Sequence, residues 1–416
     1  MRIIHTSDWH LGKTLEGCSR IPEQKEFIDE LHQIVVDHDV HLVLIAGDVY
    51  DVFNPSAEAE DLFYYALEKL ADNGRRAVVV IAGNHDNPER LAAPEYLARH
   101  HGITLIGFPR DTASLGGARH GVQRTASGPG WVRLQVPGCD HQVTLVTLAY
   151  PSEARLGELF HLHFAGDDGK TVLAYRQKIQ EVLGIMAGQF REDTVNIILS
   201  HLFYGQGMPS DSERMLSIGG LNAIQPADLP ASSHIQYVAL GHLHRPQSFH
   251  EAGYPVCYSG SPLAYSFSEA GQQKRVILVE AEPGQAARIT EVPLKCGLPL
   301  VRKTFQSYQE ALAWCGQPEN RNQWVDMEII HPQPLGTMEM KELRSRHNHI
   351  VTLRRTPPTD GGQPADAGVP ARRLAELSLI EKFVAFYRQK NASAEPSKEL
   401  LDLFVELTQD LEEMDD

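Results

Sequence analysis

The stretch Val78-Val79-Val80-Ile81-Ala82-Gly83-Asn84-His85-Asp86 decides the fold. Its first five residues are apolar and mostly β-branched, which predicts a short buried strand. The polar residues that follow begin with a glycine, which predicts a turn where that strand ends. The same arrangement recurs after the apolar runs Ile3-Ile4, Val43 to Ala46, Val195 to Leu199 and Tyr237 to Leu240. The pattern is typical of an α/β protein.

Each of these strands is followed by residues that bind metal ions in proteins. The clusters are Asp8-Trp9-His10, Gly47-Asp48, Gly83 to Asp86, Ser200-His201 and Gly241-His242-Leu243-His244. Open α/β sheets bind ligands beyond the carboxyl ends of their strands, so neighbouring strands would bring these clusters together at one edge. Asp8 and His10 are two residues apart, and such a pair points to the same side of an extended segment. We therefore predict a metal site assembled from distant parts of the chain.

The ligand types indicate which metal ions bind. Two divalent cations about 3.5–4 Å apart need a ligand between them, and a carboxylate suits that position. Asp48, directly after Gly47, is the predicted bridge. Imidazole and carboxylate together favour Mn, Fe or Zn over Mg or Ca, and no cysteine accompanies the clusters. We predict two divalent metal ions, with Mn²⁺ as first choice.

Each cluster alone has a simpler explanation. An isolated Asp-x-His or His-x-His is more often a hydrogen-bonded pair than a ligand set. Gly47-Asp48 alone is compatible with a strand-ending turn, and Asn84 alone with an Asx turn. Their joint occurrence, always at strand ends, favours the metal site.

The motifs together resemble a known family. The order D-x-H, G-D, G-N-H-D, H and G-H-x-H resembles the calcineurin-like metallophosphoesterase superfamily, whose members hydrolyse phosphate esters with two metal ions. Longer stretches resemble SbcD, a family of bacterial DNA-repair nuclease subunits, clearly over about residues 1–280 and in layout beyond. These stretches are residues 4–13, 46–51, 237–247, 258–263 and 266–269. The implied fold is a two-sheet sandwich flanked by helices.

The resemblance also implies a role for each site residue. One ion would be bound by Asp8, His10, Asp48 and His244, and the other by Asp48, Asn84, His201 and His242. His85 is the catalytic candidate, which would protonate the leaving 3′ oxygen or steady the phosphate. Alternatively, His85 holds Asp48 or Asp8 in place. Asp51 and Asp86 are predicted to orient histidines. The attack would come from metal-activated water, since Ser7 and Ser200 lack the Gly-x-Ser-x-Gly context of a nucleophile.

The composition limits the number of domains and indicates the class of protein. With 416 residues, 42% of them hydrophobic, the chain allows two or three globular domains. It has no apolar run of membrane-spanning length and no signal peptide, because it turns polar at His5-Thr6. The odd number of cysteines, without a Cys-x-x-Cys pair, predicts reduced thiols and a cytoplasmic location. These cysteines are Cys18, Cys139, Cys257, Cys296 and Cys315.

The net charge of −16 bears on DNA binding. A protein that grips DNA alone is expected to present a basic patch, because phosphate contacts supply most of the sequence-independent affinity. The charge therefore predicts that a partner supplies much of that affinity. Basic residues that could line the site are Arg2, Lys13, Arg20, Arg110 and Arg245.

The layout predicts several parts. A nuclease domain spans 1–282, with a helix at 171–190 and an irregular excursion at 111–142, in which glycines mark turns between short strands. A small α+β domain spans 283–355, with strands at 300–305, 324–331 and 349–354 and helices at 307–315 and 338–347. In the resembled family this domain is a cap that helps to fit DNA into the site. The proline- and glycine-rich stretch 356–370 is a predicted linker.

Two amphipathic helices are predicted over 371–416. Their apolar stripes are Leu377, Ile380, Val384 and Tyr387, then Leu400, Phe404, Leu407 and Leu411. One alternative is that they fold back on the core or on each other. We prefer the other, in which they dock on a partner. In the resembled family this end binds the coiled coil of the SbcC ATPase, and the nuclease chain is a homodimer within a heterotetramer. Helices in 52–72 and 88–101 are candidate dimer contacts.

The predicted function is a Mn²⁺-dependent DNA nuclease that processes double-stranded ends and hairpins with an ATP-driven partner. Three alternatives stay open. One is a phosphatase or small-substrate phosphodiesterase of the same superfamily, disfavoured because Asp86 follows His85 and Gly47-Asp48 lacks a following Asp-Arg-Gly. Another is a protein that tethers DNA ends without cleaving them. The third is a nuclease that accepts RNA, which differs in tolerating the 2′-hydroxyl.

Overall fold

The computed structural model describes most of the chain as far as residue 358. The described ranges are 1–157, 175–205, 207–210, 213, 223–232, 234–250 and 252–358, with single positions between 383 and 404. Two compact units emerge, residues 1–330 with 334–355, and residues 331–333 with 356–416. The predicted linker lies almost wholly outside the described residues.

The strands and helices follow the apolar pattern of the sequence. The strands are β1 (Arg2–Thr6), β2 (Thr14–Leu15), β3 (Cys18–Ser19), β4 (Leu42–Ala46), β5 (Ala77–Ile81), β6 (Ile103–Ile106), β7 (Gly116–Gly117), β8 (Gln123–Gly128), β9 (Trp131–Gln135), β10 (Gln142–Leu148), β11 (Thr194–His201), β12 (Tyr237–Gly241), β13 (Gln247–Phe249), β14 (Val256–Tyr258), β15 (Arg275–Glu280), β16 (Arg288–Pro293), β17 (Leu300–Phe305), β18 (Trp324–Ile330) and β19 (Ile350–Thr356). The α-helices are α1 (Ile21–Asp37), α2 (Ala57–Ala71), α3 (Pro88–Ala92), α4 (Glu95–Ala98), α5 (Tyr175–Ala187), α6 (Tyr308–Gly316) and α7 (Thr337–Arg346).

Two large sheets make up most of the first unit. The first has the order β16-β15-β1-β4-β5-β6, in which β1, β4, β5 and β6 are parallel. The second has the order β13-β14-β12-β11-β10-β9-β8-β7, in which β10, β11, β12 and β14 are parallel. The metal-site strands are divided between the two sheets, with β1, β4 and β5 in the first and β11 and β12 in the second.

The sheets pack face to face because alternate residues of each strand point to opposite sides. Leu44 and Val79 of the first sheet share a buried cluster with Ile197 and Ala239 of the second. Their neighbours in sequence point outwards and pack on helices. Those of the first sheet contact the apolar faces of α1 and α2, and those of the second contact α5. The result is the predicted two-sheet sandwich flanked by helices.

Two segments of this sandwich differ from the sequence-based expectation. Residues 111–142 were expected to be an irregular excursion of turns and short strands, whereas β7, β8 and β9 form a regular antiparallel meander that extends the second sheet. Val132 and Leu134 of β9 point into the core between the two sheets and hold the meander against the first sheet. The first sheet also includes β16 and so continues to Pro293, past the predicted domain boundary at 282.

The predicted small α+β region forms a three-stranded sheet. Its order is β17-β18-β19, with β17 and β18 parallel. Helices α6 and α7 cover it around a separate buried cluster that includes Met327 and Leu343. This region contacts the first sheet's helical layer through Glu23 of α1, whose carboxylate accepts hydrogen bonds from Trp324 Nε1 at 3.0 Å and from the Leu298 amide at 2.7 Å.

Few residues of the C-terminal region are described. Val384, Tyr387, Leu400 and Phe404 of the predicted stripes are helical. The rings of Phe383 and Phe404 stack with centroids 4.1 Å apart, which supports the alternative that the two helices pack on each other. In the part of the chain that the structure describes, no helix combines the length and apolar character that crossing a bilayer requires.

Candidate metal centre

The fold brings all five polar clusters to one place. The loops after β1 and β4 run side by side, and the amides of Asp8 and His10 each donate a 3.0 Å hydrogen bond, to the carbonyls of Gly47 and Asp48. His201, at the end of β11, reaches across from the second sheet, and its Nδ1–H donates to the Ala46 carbonyl at 2.8 Å. The carboxyl ends of strands from both sheets therefore meet at a single centre.

The backbone at this centre is unusual. Four of the predicted ligands have positive φ angles, 54° at Asp8, 46° at His10, 51° at Asp48 and 107° at His242. Such conformations are costly for residues other than glycine and persist where the surrounding structure imposes them, most often at functional sites. Their concentration in the ligand loops indicates that the side chains are held in fixed directions.

Glycines make the close approach of these loops possible. A Cβ on Gly83 would lie 2.1 Å from Asp48 Oδ1 and 2.3 Å from the Asp48 amide nitrogen. A Cβ on Gly241 would lie 1.9 Å from the Ala46 carbonyl oxygen. Gly83 and Gly241 are therefore packing requirements of the site.

We expect Gly83→Ala to destabilise the protein by about 1–3 kcal/mol, since an added methyl group in a filled space forces the backbone to shift. It should also weaken metal binding, because the clash falls on Asp48. Chemical unfolding and metal titration measure the two effects. The control is Gly184→Ala in α5, where a Cβ would meet nothing within 4 Å. A Gly83→Ala variant as stable as this control would contradict the prediction.

One group of predicted ligands surrounds His10. The ligand atoms of Asp8, His10 and His244 all lie within 4.8 Å of one another. The Nε2 atoms of His10 and His244 face each other at 2.9 Å. All three side chains are buried, and the amide of His242 fixes Asp8 by donating to its Oδ1 at 2.9 Å.

A second group surrounds Asn84, and Asp48 lies between the two. Asn84 Oδ1 is 2.9 Å from His201 Nε2 and 3.2 Å from His242 Nδ1. Asp48 Oδ2 is 3.5 Å from His201 Nε2 and 3.7 Å from His10 Nε2. The position of Asp48 between the groups is the one that a bridging carboxylate requires.

The electrostatics of the buried carboxylates Asp8 and Asp48 favour the binding of a cation. Asp8 is fully buried and Asp48 is 2% exposed. Burial raises the pKa of Asp8 to about 8. Burial also opposes ionisation of Asp48, but the adjacent His201 and His10 outweigh it and hold the Asp48 pKa well below its usual range. Among the described residues, the ion pairs of Asp48 are with histidines alone, so a bound divalent cation would supply the missing positive charge.

The histidines also suit metal binding. Burial lowers the pKa of His10 to about 4 and that of His242 to about 3, so both are neutral at physiological pH, as a ligand must be. His201 differs, since burial lowers its pKa but Asp48 outweighs this and raises it to about 9. A metal ion held by His201 would displace that proton.

His85 lies beside His10 in the same centre. Its amide donates to Asp48 Oδ1 at 2.9 Å, and its Nδ1–H donates to the Asp51 carbonyl at 2.7 Å. The latter bond fixes the tautomer in which Nε2 has the lone pair. The rings of His85 and His10 meet edge to face with centroids 4.7 Å apart. His85 therefore donates a hydrogen bond to Asp48 through its backbone, and its imidazole also helps to lower the Asp48 pKa electrostatically.

The two predicted orienting carboxylates behave differently. Asp51 Oδ1 lies 3.4 Å from His10 Nδ1 and accepts a hydrogen bond from Lys13 Nζ at 2.6 Å, consistent with orienting His10. Asp86 was expected to orient a histidine, but its carboxylate instead accepts hydrogen bonds from three backbone amides. These belong to Gly83 at 2.8 Å, Val49 at 3.1 Å and Tyr50 at 2.9 Å. Asp86 thus joins the loops after β4 and β5.

Comparison with known proteins agrees with this geometry. Residues 1–134 match the family model described as calcineurin-like phosphoesterase. The SbcD chain of the nuclease SbcCD from Bacillus subtilis (strain 168) is 40% identical over 416 residues, 100% of both chains. The corresponding chain of Rhodobacter capsulatus is 36% identical over 74% of this chain and 72% of its own. The chain belongs to the SbcD family.

This membership confirms the predicted family and fold class, and with them a metal-dependent nuclease. A dimetal phosphatase from Danio rerio aligns with 70% of this chain and 99% of its own at 12% identity, with a TM-score of 0.39. This structural similarity is too low to support the assignment to the SbcD family.

Several buried residues behind the SbcD motifs were missed from the sequence. Gln24 of α1 donates from Nε2 to the His10 carbonyl at 2.8 Å and to the Tyr265 hydroxyl at 3.1 Å. Lys274 donates to the His244 carbonyl at 3.0 Å and to Glu269 Oε2 at 2.5 Å. These groups hold the backbone of two predicted ligands. They are isolated in sequence, so no motif could have indicated them.

Proposed function

We propose that this chain hydrolyses DNA phosphodiesters at a pair of Mn²⁺ ions, as the nuclease component of a complex with an SbcC-type ATPase. One ion is held by Asp8, His10, Asp48 and His244, and the other by Asp48, Asn84, His201 and His242. The observation that supports this assignment is the position of Asp48 between the two groups. Mixed imidazole and carboxylate donors favour Mn²⁺ over Mg²⁺.

The residues of the chain then have distinct tasks. Bound divalent ions activate water and neutralise charge that develops on the phosphate. Asp8 and Asp48 fix the ligand geometry through their bonds with the amides of His242 and His85. His85, whose Nδ1–H donates to the Asp51 carbonyl, would take up a second proton at Nε2 and, as the imidazolium, pass it to the leaving 3′ oxygen or steady the phosphate.

The partner and the quaternary structure belong to the same proposal. The relatives are named as one component of a nuclease called SbcCD, which supports an SbcC-type partner. The net charge of −16 supports a need for help in binding DNA. We propose that the C-terminal helices dock on the coiled coil of that ATPase, in the cytoplasm. A homodimer through the helices in 52–72 and 88–101 is supported by exposed apolar residues there. These are Phe53, Tyr64, Tyr96 and Leu97.

The sheet topology changes the proposed boundary between the nuclease domain and the α+β region. We place the end of the nuclease domain after Pro293, because β16 completes the first sheet. The α+β region that follows is the proposed cap, which would help to seat DNA against the centre.

The test is degradation of an end-labelled linear duplex by the purified chain with Mn²⁺, with and without the ATPase and ATP. We expect metal-dependent cleavage that rises at least about 10-fold with the partner, because the partner supplies the phosphate contacts that the acidic chain lacks. Hydrolysis of bis(p-nitrophenyl) phosphate serves as a reference. Turnover of this small ester without DNA cleavage in either setting would favour a small-substrate phosphoesterase instead.

A further inference from the structure

Two aromatic rings and two arginines cluster beside the metal centre. The Arg155 guanidinium lies 5.5 Å from the Phe108 ring centroid and 5.7 Å from that of Tyr150. Arg110 lies 5.1 Å from the Phe108 ring centroid. We call Phe108, Arg110, Tyr150 and Arg155 the aromatic–arginine cluster. None of the metal-site motifs includes these residues.

The topology places this cluster at the same edge as the predicted ligands. Phe108 follows β6 in the first sheet, and Tyr150 follows β10 in the second. The Tyr150 amide donates to the Ala82 carbonyl at 2.8 Å, directly before the Gly83 turn. The rings of Tyr150 and His201 meet edge to face with centroids 6.2 Å apart. The cluster therefore adjoins the His201 side of the centre.

The chemistry of the cluster matches a nucleotide. Aromatic faces stack with bases of any sequence, and arginine pairs with phosphate through its planar fork of donors. A guanidinium already held against two rings loses little freedom when it binds. Phe108, Tyr150 and Arg155 are half-buried, and Arg110 is exposed. Arg110 and Arg155 place two guanidinium groups beside the proposed phosphodiester site, near the acidic residues Asp111 and Glu153.

We propose that the aromatic–arginine cluster binds the nucleotide that flanks the scissile phosphate on the His201 side. The base stacks on Phe108 or Tyr150, and Arg155 and Arg110 pair with the adjoining phosphate. This inference rests on the proposed function, since it assumes a nucleic acid chain at the metal centre. It assigns the cluster to substrate positioning rather than to the reaction itself.

The test compares the full-length protein with its Phe108→Leu and Arg155→Gln variants. Binding of a fluorescein-labelled single-stranded oligonucleotide is measured by anisotropy with Ca²⁺, and the KM for Mn²⁺-dependent cleavage is measured on the same strand. Turnover of bis(p-nitrophenyl) phosphate reports the metal centre without flanking nucleotides. The control is Arg191→Gln, which removes an equal charge before β11, at the end of that strand opposite His201.

We expect each cluster variant to weaken oligonucleotide binding and raise the KM by about 10-fold, the size of one lost stacking or phosphate contact. The small ester should change by no more than about threefold, and the control should behave like the wild type. Unchanged oligonucleotide affinity in both variants overturns the proposal. An equal loss of activity on the oligonucleotide and on bis(p-nitrophenyl) phosphate also overturns it, because the cluster would then support the metal centre rather than bind a nucleotide. If the wild type cleaves no DNA but the variants bind it more weakly, the cluster assignment stands and the proposed function fails.

Discussion

Replacing Asp48 with Asn should lower kcat for DNA hydrolysis by at least about 1000-fold, or roughly 4 kcal/mol in the activation barrier. Asp48 is the residue that lies within 3.7 Å of His10 Nε2 in one group and 3.5 Å of His201 Nε2 in the other. The amide keeps the shape of the side chain but loses its charge. It would therefore hold two adjacent dications poorly, and the reaction would lose their charge stabilisation.

The matched control for this variant is Asp140→Asn. Asp140 is exposed in the turn before β10, at the opposite end of the sandwich from the metal centre. It should retain wild-type activity, and both variants should keep wild-type circular dichroism. An Asp48→Asn variant with activity within about 10-fold of the wild type, a loss too small for a missing bridge, would show that Asp48 is not the shared ligand.

The second large effect is expected at His85. His85→Ala should reduce DNA hydrolysis by about 100- to 10,000-fold, the usual contribution of a positioned proton donor. Metal binding should persist, because the hydrogen bond of His85 to Asp48 comes from the backbone amide, which alanine also has. Single-turnover cleavage measures the first quantity, and titration with Mn²⁺ measures the second.

This experiment separates the two roles predicted for His85. A variant that loses metal affinity in proportion to activity would support the alternative, in which His85 holds Asp48 or Asp8. Unchanged hydrolysis would make His85 a bystander. His141→Ala is the control, because His141 is partly exposed and lies at the far end of β10 from the centre.

The strand ends of this protein were predictable because two signals coincide there. The runs before Asp8, Asp48, Asn84, His201 and His242 are short, apolar and mostly rich in Val and Ile, which is typical of buried strands. Each then changes abruptly to polar residues. The structure brings all the predicted ligands together.

Other features could not be predicted from local pattern. Parallel strands that are buried on both faces look alike, so periodicity could not assign β1 and β11 to different sheets. Asp86 follows His85 in sequence and was therefore expected to orient a histidine. The left-handed backbone at Asp48 instead directs the amides of Val49 and Tyr50 towards the Asp86 carboxylate. Gln24 reaches the His10 carbonyl from α1, and Tyr265 contacts the His10 ring from a part of the chain far away in sequence. Such contacts depend on tertiary packing and leave no local signature.

The most direct test of the central claim is a count of Mn²⁺ ions per chain, combined with electron paramagnetic resonance of the loaded protein. Two ions that share Asp48 should lie about 3.5–4 Å apart and give an exchange-coupled spectrum. The expected result is two Mn²⁺ per chain with coupling that disappears in Asp48→Asn. A single ion, or two ions with uncoupled signals, would contradict the two-metal centre.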